Sequence, residues 1–172
     1  MRIASSFAVV ALGASFALAG CIADTSDPEP LDGEGSAQED VGEAAAALGS
    51  CYGASCTEQD PGATGCEADA VTRASSDILS GTTAIGKIVI RYSPSCNAAW
   101  ARTVVTSGSS YLRAEITRSS PYATSQAEST SPTDALRSAM LAVTPGSRFT
   151  AIGKIGSNPG IFQFSGTVRT NF

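Results

Sequence analysis

Histidine is absent from the 172 residues. Without an imidazole there is no Ser-His-Asp triad, no Cys-His dyad and no zinc site that needs a nitrogen ligand. Charge is also scarce. Asp, Glu, Lys and Arg make up 16% of the chain, below the usual quarter or so. Acids outnumber bases, sixteen to eleven, for a net charge of -5. That balance is wrong for gripping a phosphate backbone, so nucleic acid is not an expected partner. Aromatic residues are 6% of the chain and there is one Trp. What remains is 42% apolar and rich in Ser, Thr and Gly, a globular composition with a polar, uncharged surface.

The start of the chain reads as an address. Ile3 to Ala19 carries no charge and is built from Ala, Val, Leu, Phe, Ser and Gly. It is short for a membrane span, which needs about 20 strongly apolar residues. It suits a secretory signal that ends in small residues. The run closes on Leu18-Ala19-Gly20-Cys21, which resembles the lipobox of bacterial lipoproteins. That resemblance implies removal of residues 1–20 and lipid on Cys21. Two or more acyl chains anchor a protein durably, at about 0.8 kcal/mol per buried methylene. The expected setting is the bacterial cell envelope, outside the cytosol, with the membrane as a partner through the anchor.

Residues 21–50 read as a disordered acidic tether. They hold eight acids and no Lys or Arg, punctuated by Pro28, Pro30, Gly33, Gly35 and Gly42. Such a segment cannot bury enough apolar surface to offset its ordering entropy. The remaining 51–172 keeps ten bases and eight acids, so the low pI belongs to the tether.

With Cys21 taken by lipid, Cys51, Cys56, Cys66 and Cys96 remain. An even set outside the cytosol reads as two disulfides, with three possible pairings. The rival is a zinc site of four thiolates. Its usual pairs stand two to four residues apart, and only one spacing here approaches that. No cofactor and no resident metal are expected.

Residues 51–172 alternate in the strand sense. Leu112, Ala114 and Ile116 share a face against Tyr111, Arg113, Glu115 and Thr117. Phe162, Phe164, Gly166, Val168, Thr170 and Phe172 share another. Ile85–Tyr92, Trp100–Thr106 and Phe149–Ile155 are further strands, whereas Ala135–Val143 fits helix or strand. The expectation is an all-β domain, a small barrel or sandwich of five to seven short strands with a disulfide-pinned N-terminal segment. The hexapeptide Thr-Ala-Ile-Gly-Lys-Ile occurs twice, at Thr83–Ile88 and Thr150–Ile155. Its flanks do not match, so it marks two strands with a similar need for Gly, at a bulge.

Cys51-Tyr52-Gly53-Ala54-Ser55-Cys56, Asp60-Pro61, Gly65-Cys66, Asp69-Ala70 and Thr72 precede Arg91-Tyr92-Ser93-Pro94-Ser95-Cys96 and Ala99-Trp100-Ala101-Arg102. Over residues 51–102 this resembles the YjfA-like secreted domain-of-unknown-function family of bacteria. The resemblance implies an extracellular, disulfide-stabilised β domain and no particular activity. Glu58 stands where the family pattern has a Gly.

Three groups of residues are candidates for function. Arg91, Tyr92, Trp100 and Arg102 combine aromatics with Arg, which suits an envelope glycan; the competing role for Trp100 is core packing. Glu58, Asp60, Glu67 and Asp69 could offer oxygens to calcium, or serve as turn and surface charges. Glu115, Glu128 and Asp134 could supply an acid–base pair for a small hydrolase, but nothing in the sequence brings two together. The leading expectation is a lipid-anchored envelope protein with a non-enzymatic binding or structural role outside the cytosol, an envelope glycan or another envelope protein being its candidate partner; the alternatives are a cell-wall or glycan-binding module that uses the Trp100 region and a small carboxylate-dependent hydrolase.

Overall fold

The computed structural model describes residues 49–172. The signal segment, Cys21 and all but the last two residues of the acidic tether lie outside the described residues. Nine strands form two antiparallel sheets packed face to face. The first sheet orders β1 (Val71–Ser80), β2 (Thr83–Ser93), β3 (Ala98–Val105) and β6 (Ala135–Arg137), with β7 (Leu141–Ala142) also on β3. The second orders β5 (Tyr122–Glu128), β4 (Tyr111–Ser119), β8 (Arg148–Gly156) and β9 (Phe164–Asn171). The domain is thus a sandwich. Ala135–Val143 holds two short strands and no helix. Those two short pieces, together with β1 and β5, bring the count to nine.

Alternation builds the core between the sheets. β4 buries Leu112, Ala114 and Ile116 and turns Arg113, Glu115 and Thr117 outward. Ile78, Ile88, Ile90, Ala99 and Ala101 meet them from the first sheet, with Phe149, Ala151 and Val168 from the second. Thr103 is fully buried in this layer, and its hydroxyl donates to the Arg113 carbonyl at 2.9 Å, joining the sheets. Arg118 is buried too; its guanidinium donates to the carbonyls of Pro121 and Ala142.

The repeated hexapeptide has a steric meaning. A Cβ on Gly86 would stand 2.5 Å from both Ile155 Cδ1 and the Val104 carbonyl oxygen. One on Gly153 would stand 2.8 Å from Thr103 Oγ1 and 2.9 Å from Ile88 Cβ. Both glycines let the sheets approach closely. The expected bulge adjoins only Gly86: Ile78 faces Gly86 and Leu79 faces Ala84, leaving Ile85 extra. Gly153 sits in unbroken register with Gly166.

The first sheet is covered on part of its other face as well. Odd residues of β2 and even residues of β3 point there; the segment that precedes β1 covers Ala98 and Trp100, whereas Lys87 and Arg102 stay exposed. That segment contains a 3-10 turn (Gly53–Cys56) and supplies Cys56 and Cys66 to a second core with Cys96, Ala98, Trp100 and Met140. Ser50 belongs to this layer: its N–H donates to the Thr64 carbonyl at 2.8 Å. Ordered contacts therefore begin ahead of residue 51. Among the described residues no helix is long and apolar enough to cross a membrane.

Candidate functional site

The covering segment is held by covalent and polar ties. Cys51 is bonded to Cys56, and Cys66 to Cys96. Asp69 accepts a hydrogen bond from the Ser93 hydroxyl at 2.5 Å and from the Ser95 N–H at 2.7 Å. Arg91 donates to the Ala70 carbonyl at 2.6 Å and to the Thr72 hydroxyl at 3.0 Å. Segments 69–72 and 91–96 therefore lock together residue by residue. Burial alone would raise the Asp69 pKa. The bonds from Ser93 and Ser95 outweigh it and hold the carboxyl below its usual range.

Asp60 shapes its own turn by accepting from the N–H groups of Gly62 and Ala63, at 2.8 and 2.9 Å. Arg137 on β6 then grips Asp60 at 3.1 Å and Glu67 at 2.9 Å. Burial opposes ionisation of Asp60, but the Arg137 bond, the two N–H groups and the nearby positive charge lower its pKa. Glu58 is exposed and takes no part in this fork; its N–H donates to the Met140 carbonyl at 2.9 Å. Of the four acids read as calcium ligands in the sequence, Asp60 and Glu67 thus share Arg137, and Asp69 is tied to Ser93 and Ser95.

Of the expected cluster, Arg91, Trp100 and Arg102 lie on the outer face of the first sheet, with Arg91 opposite Trp100 in register, and Tyr92 does not join them. Trp100 is 1% exposed and packs in the second core beneath the disulfides. Its Nε1 has no hydrogen-bond partner among the described residues. A ring sealed in this way cannot stack on a sugar. Arg91 is occupied by Ala70 and Thr72. Arg102 is exposed and pairs in register with Arg137. Tyr92 points to the opposite face of the sheet, because neighbours in a strand alternate. Among the carboxylates, Glu115 is bound to Arg113 at 3.3 Å. Glu128 lies across β5 from that same Arg113. Asp134 lies before β6, which belongs to the other sheet.

A different set does converge around Tyr92. β1 carries a bulge in which Thr72 faces Arg91 and Ala74 faces Ile90, so Arg73 is the extra residue. A bulge re-aims a side chain. Here it lays the Arg73 guanidinium over the Phe172 ring at 5.2 Å and near the Tyr92 ring at 6.0 Å. Tyr92 and Phe172 pack tilted with centroids 5.0 Å apart, and Phe149 meets Phe172 edge-on at 5.1 Å. The Tyr92 hydroxyl donates to Asn97 Oδ1 at 3.2 Å, and Asn97 Nδ2 donates to the Val143 carbonyl at 3.2 Å. Arg73, Tyr92, Asn97, Val143, Pro145 and Phe172 line a hollow of about 400 Å³. No carboxylate among the described residues pairs with Arg73. The hollow thus offers a cation with no counter-ion among the described residues, two aromatic rings and an oriented side-chain amide. Such a set suits a ring-bearing ligand with an anionic group. Sequence reasoning found Tyr92 and missed Arg73, Asn97 and Phe172.

Residues 54–150 match the model of a family described as Protein of unknown function (DUF2690), and the chain belongs to that family. Comparisons with curated proteins and with solved structures each gave no match.

Proposed function

We propose that this member of the DUF2690 family is a lipid-anchored protein of the bacterial envelope that binds an anionic envelope glycan. The anchor is Cys21, the acidic stretch from residue 21 is the spacer, and the sandwich is the binding module. The Leu18-Ala19-Gly20-Cys21 run supports the anchor. Two disulfides support an oxidising setting outside the cytosol.

The observation that carries the binding reading is Arg73. A guanidinium that lies over two rings and has no carboxylate partner among the described residues is arranged to meet a negative group from outside. The rings supply the apolar face of a sugar with its stacking surface. This reading moves the expected glycan site away from Trp100 and keeps Tyr92.

Two measurements test it. Intact mass of the protein extracted from its native membrane should equal residues 21–172 plus acyl chains; an unlipidated chain would remove the anchor. Co-sedimentation with acidic envelope polysaccharide should retain the wild-type chain and release Tyr92→Ala. Equal retention of both proteins would remove the groove from the account.

A further inference from the structure

The two disulfides touch. Cys51 Sγ and Cys66 Sγ are 3.8 Å apart, and all four sulfurs lie within 4.8 Å of one another. We propose that the four cysteines have a second state. When both bridges are reduced, they hold one thiophilic divalent cation of the Zn²⁺ type in an all-thiolate site.

The spacing carries the argument. Zn–S bonds of about 2.3 Å in a tetrahedron place the sulfurs about 3.8 Å from each other. The Cys51–Cys66 gap already has that value, and the other separations between the bridges are no more than 4.8 Å. Only the two bonded pairs have to part, and rotation about the cysteine side-chain bonds parts them. Thiolates are soft ligands, which select zinc-like cations over Mg²⁺ or Ca²⁺.

The surroundings fit the same role. Cys56, Cys66 and Cys96 are fully buried, while Cys51 is partly exposed and leaves a way in. Thr64 Oγ1 lies 3.1 Å from Cys66 Sγ and donates to it, the kind of outer contact that orients a metal-binding sulfur. Polar ties independent of the bridges keep the thiols gathered. The Gly53 N–H donates to the Cys96 carbonyl at 2.8 Å, and the Glu58 N–H to the Met140 carbonyl at 2.9 Å. Asp69 fixes the turn that carries Cys96. The chain spacing conceals all of this, since the residues meet only through the fold.

The chemistry balances. Two molecules of a dithiol reductant give up four electrons and four protons, each closing its own disulfide, and four thiols result. Binding the cation then releases up to four protons as the thiols become thiolates. Reoxidation by two molecules of a disulfide oxidant, which take up the four electrons and four protons and leave as thiols, forms both S–S bonds again and expels the cation.

The test uses the full mature chain, reduced with a phosphine so that no added thiol competes for metal. Co²⁺ serves as the probe. One Co²⁺ per chain should bind with the visible absorption of a tetrahedral all-thiolate centre, and one equivalent of Zn²⁺ should abolish that absorption. The oxidised chain should show none. Cys51→Ser combined with Cys56→Ser should lose the four-thiolate spectrum. A reduced chain that keeps its circular dichroism yet gives no such spectrum at micromolar Co²⁺ overturns the proposal. If reduction unfolds the chain, Zn²⁺ should restore a thermal transition, and failure to restore it overturns the proposal equally.

Discussion

The Asp69 carboxylate receives the Ser93 hydroxyl and the Ser95 N–H on its two oxygens, at 2.5 and 2.7 Å. This single side chain joins the end of the covering segment to the turn that carries Cys96. Hydrogen bonds to a charged acceptor contribute about 1.5–3 kcal/mol each. Asp69→Ala, which removes both bonds, should therefore destabilise the domain by about 3–6 kcal/mol in urea unfolding. Because the folded pKa of Asp69 is lowered, its stabilisation is present above the unfolded value, near 3.8, and fades as pH falls through the folded value. The melting-temperature gap between wild type and Asp69→Asn should be full at pH 7 and shrink below pH 3.8. A gap independent of pH would contradict the role assigned to the charge.

Glu58 has φ +66°, a left-handed conformation that costs a residue with a Cβ. Its side chain is exposed, and Gly can keep the N–H bond to Met140. Glu58→Gly should stabilise the protein by about 0.5–1 kcal/mol. Thermal unfolding reads this directly, and a fall in melting temperature would count against it.

Gly86 lies against the Val104 carbonyl, which belongs to the backbone of a central strand and cannot swing aside. Gly86→Ala should cost about 1–3 kcal/mol through overpacking. Chemical denaturation measures the loss. A neutral result would mean that the sheets can separate at that point.

The Arg137 fork should matter less. Its side chain is 40% exposed, and those of Asp60 and Glu67 are 49% and 41% exposed. Exposed pairs contribute about 0–1 kcal/mol and are screened by salt. Arg137→Ala should stay within that range, and the difference should narrow at high ionic strength.

Trp100 should behave as core. Trp100→Ala should destabilise by about 3–5 kcal/mol. The protein that remains folded should bind glycan like wild type. Loss of binding with stability intact would return Trp100 to a ligand-contacting role.

Legibility in the sequence followed burial. β4 and β9 were readable because each has one buried face, so apolar residues recur with period two. β1 and β5 were not, because they bury almost nothing fully: in β1 only Ile78 is fully buried. β5 (Tyr-Ala-Thr-Ser-Gln-Ala-Glu) alternates between exposed and half-buried and buries nothing fully. The four cysteines announced two disulfides, but their pairing is set by folding. Trp100 read as either sugar platform or core because sequence does not tell that the outer face of β3 is covered at that position. Arg73 was invisible for a different reason: its direction comes from one extra residue in the β1–β2 register. No local pattern encodes that shift.

The most direct test of the account is calorimetric titration of the full mature chain with a soluble acidic envelope glycan, comparing wild type, Arg73→Ala and Arg102→Ala. Circular dichroism should confirm that all three are folded. The groove account predicts at least tenfold weaker binding for Arg73→Ala and unchanged binding for Arg102→Ala. Wild-type affinity in Arg73→Ala, or loss confined to Arg102→Ala, would contradict it.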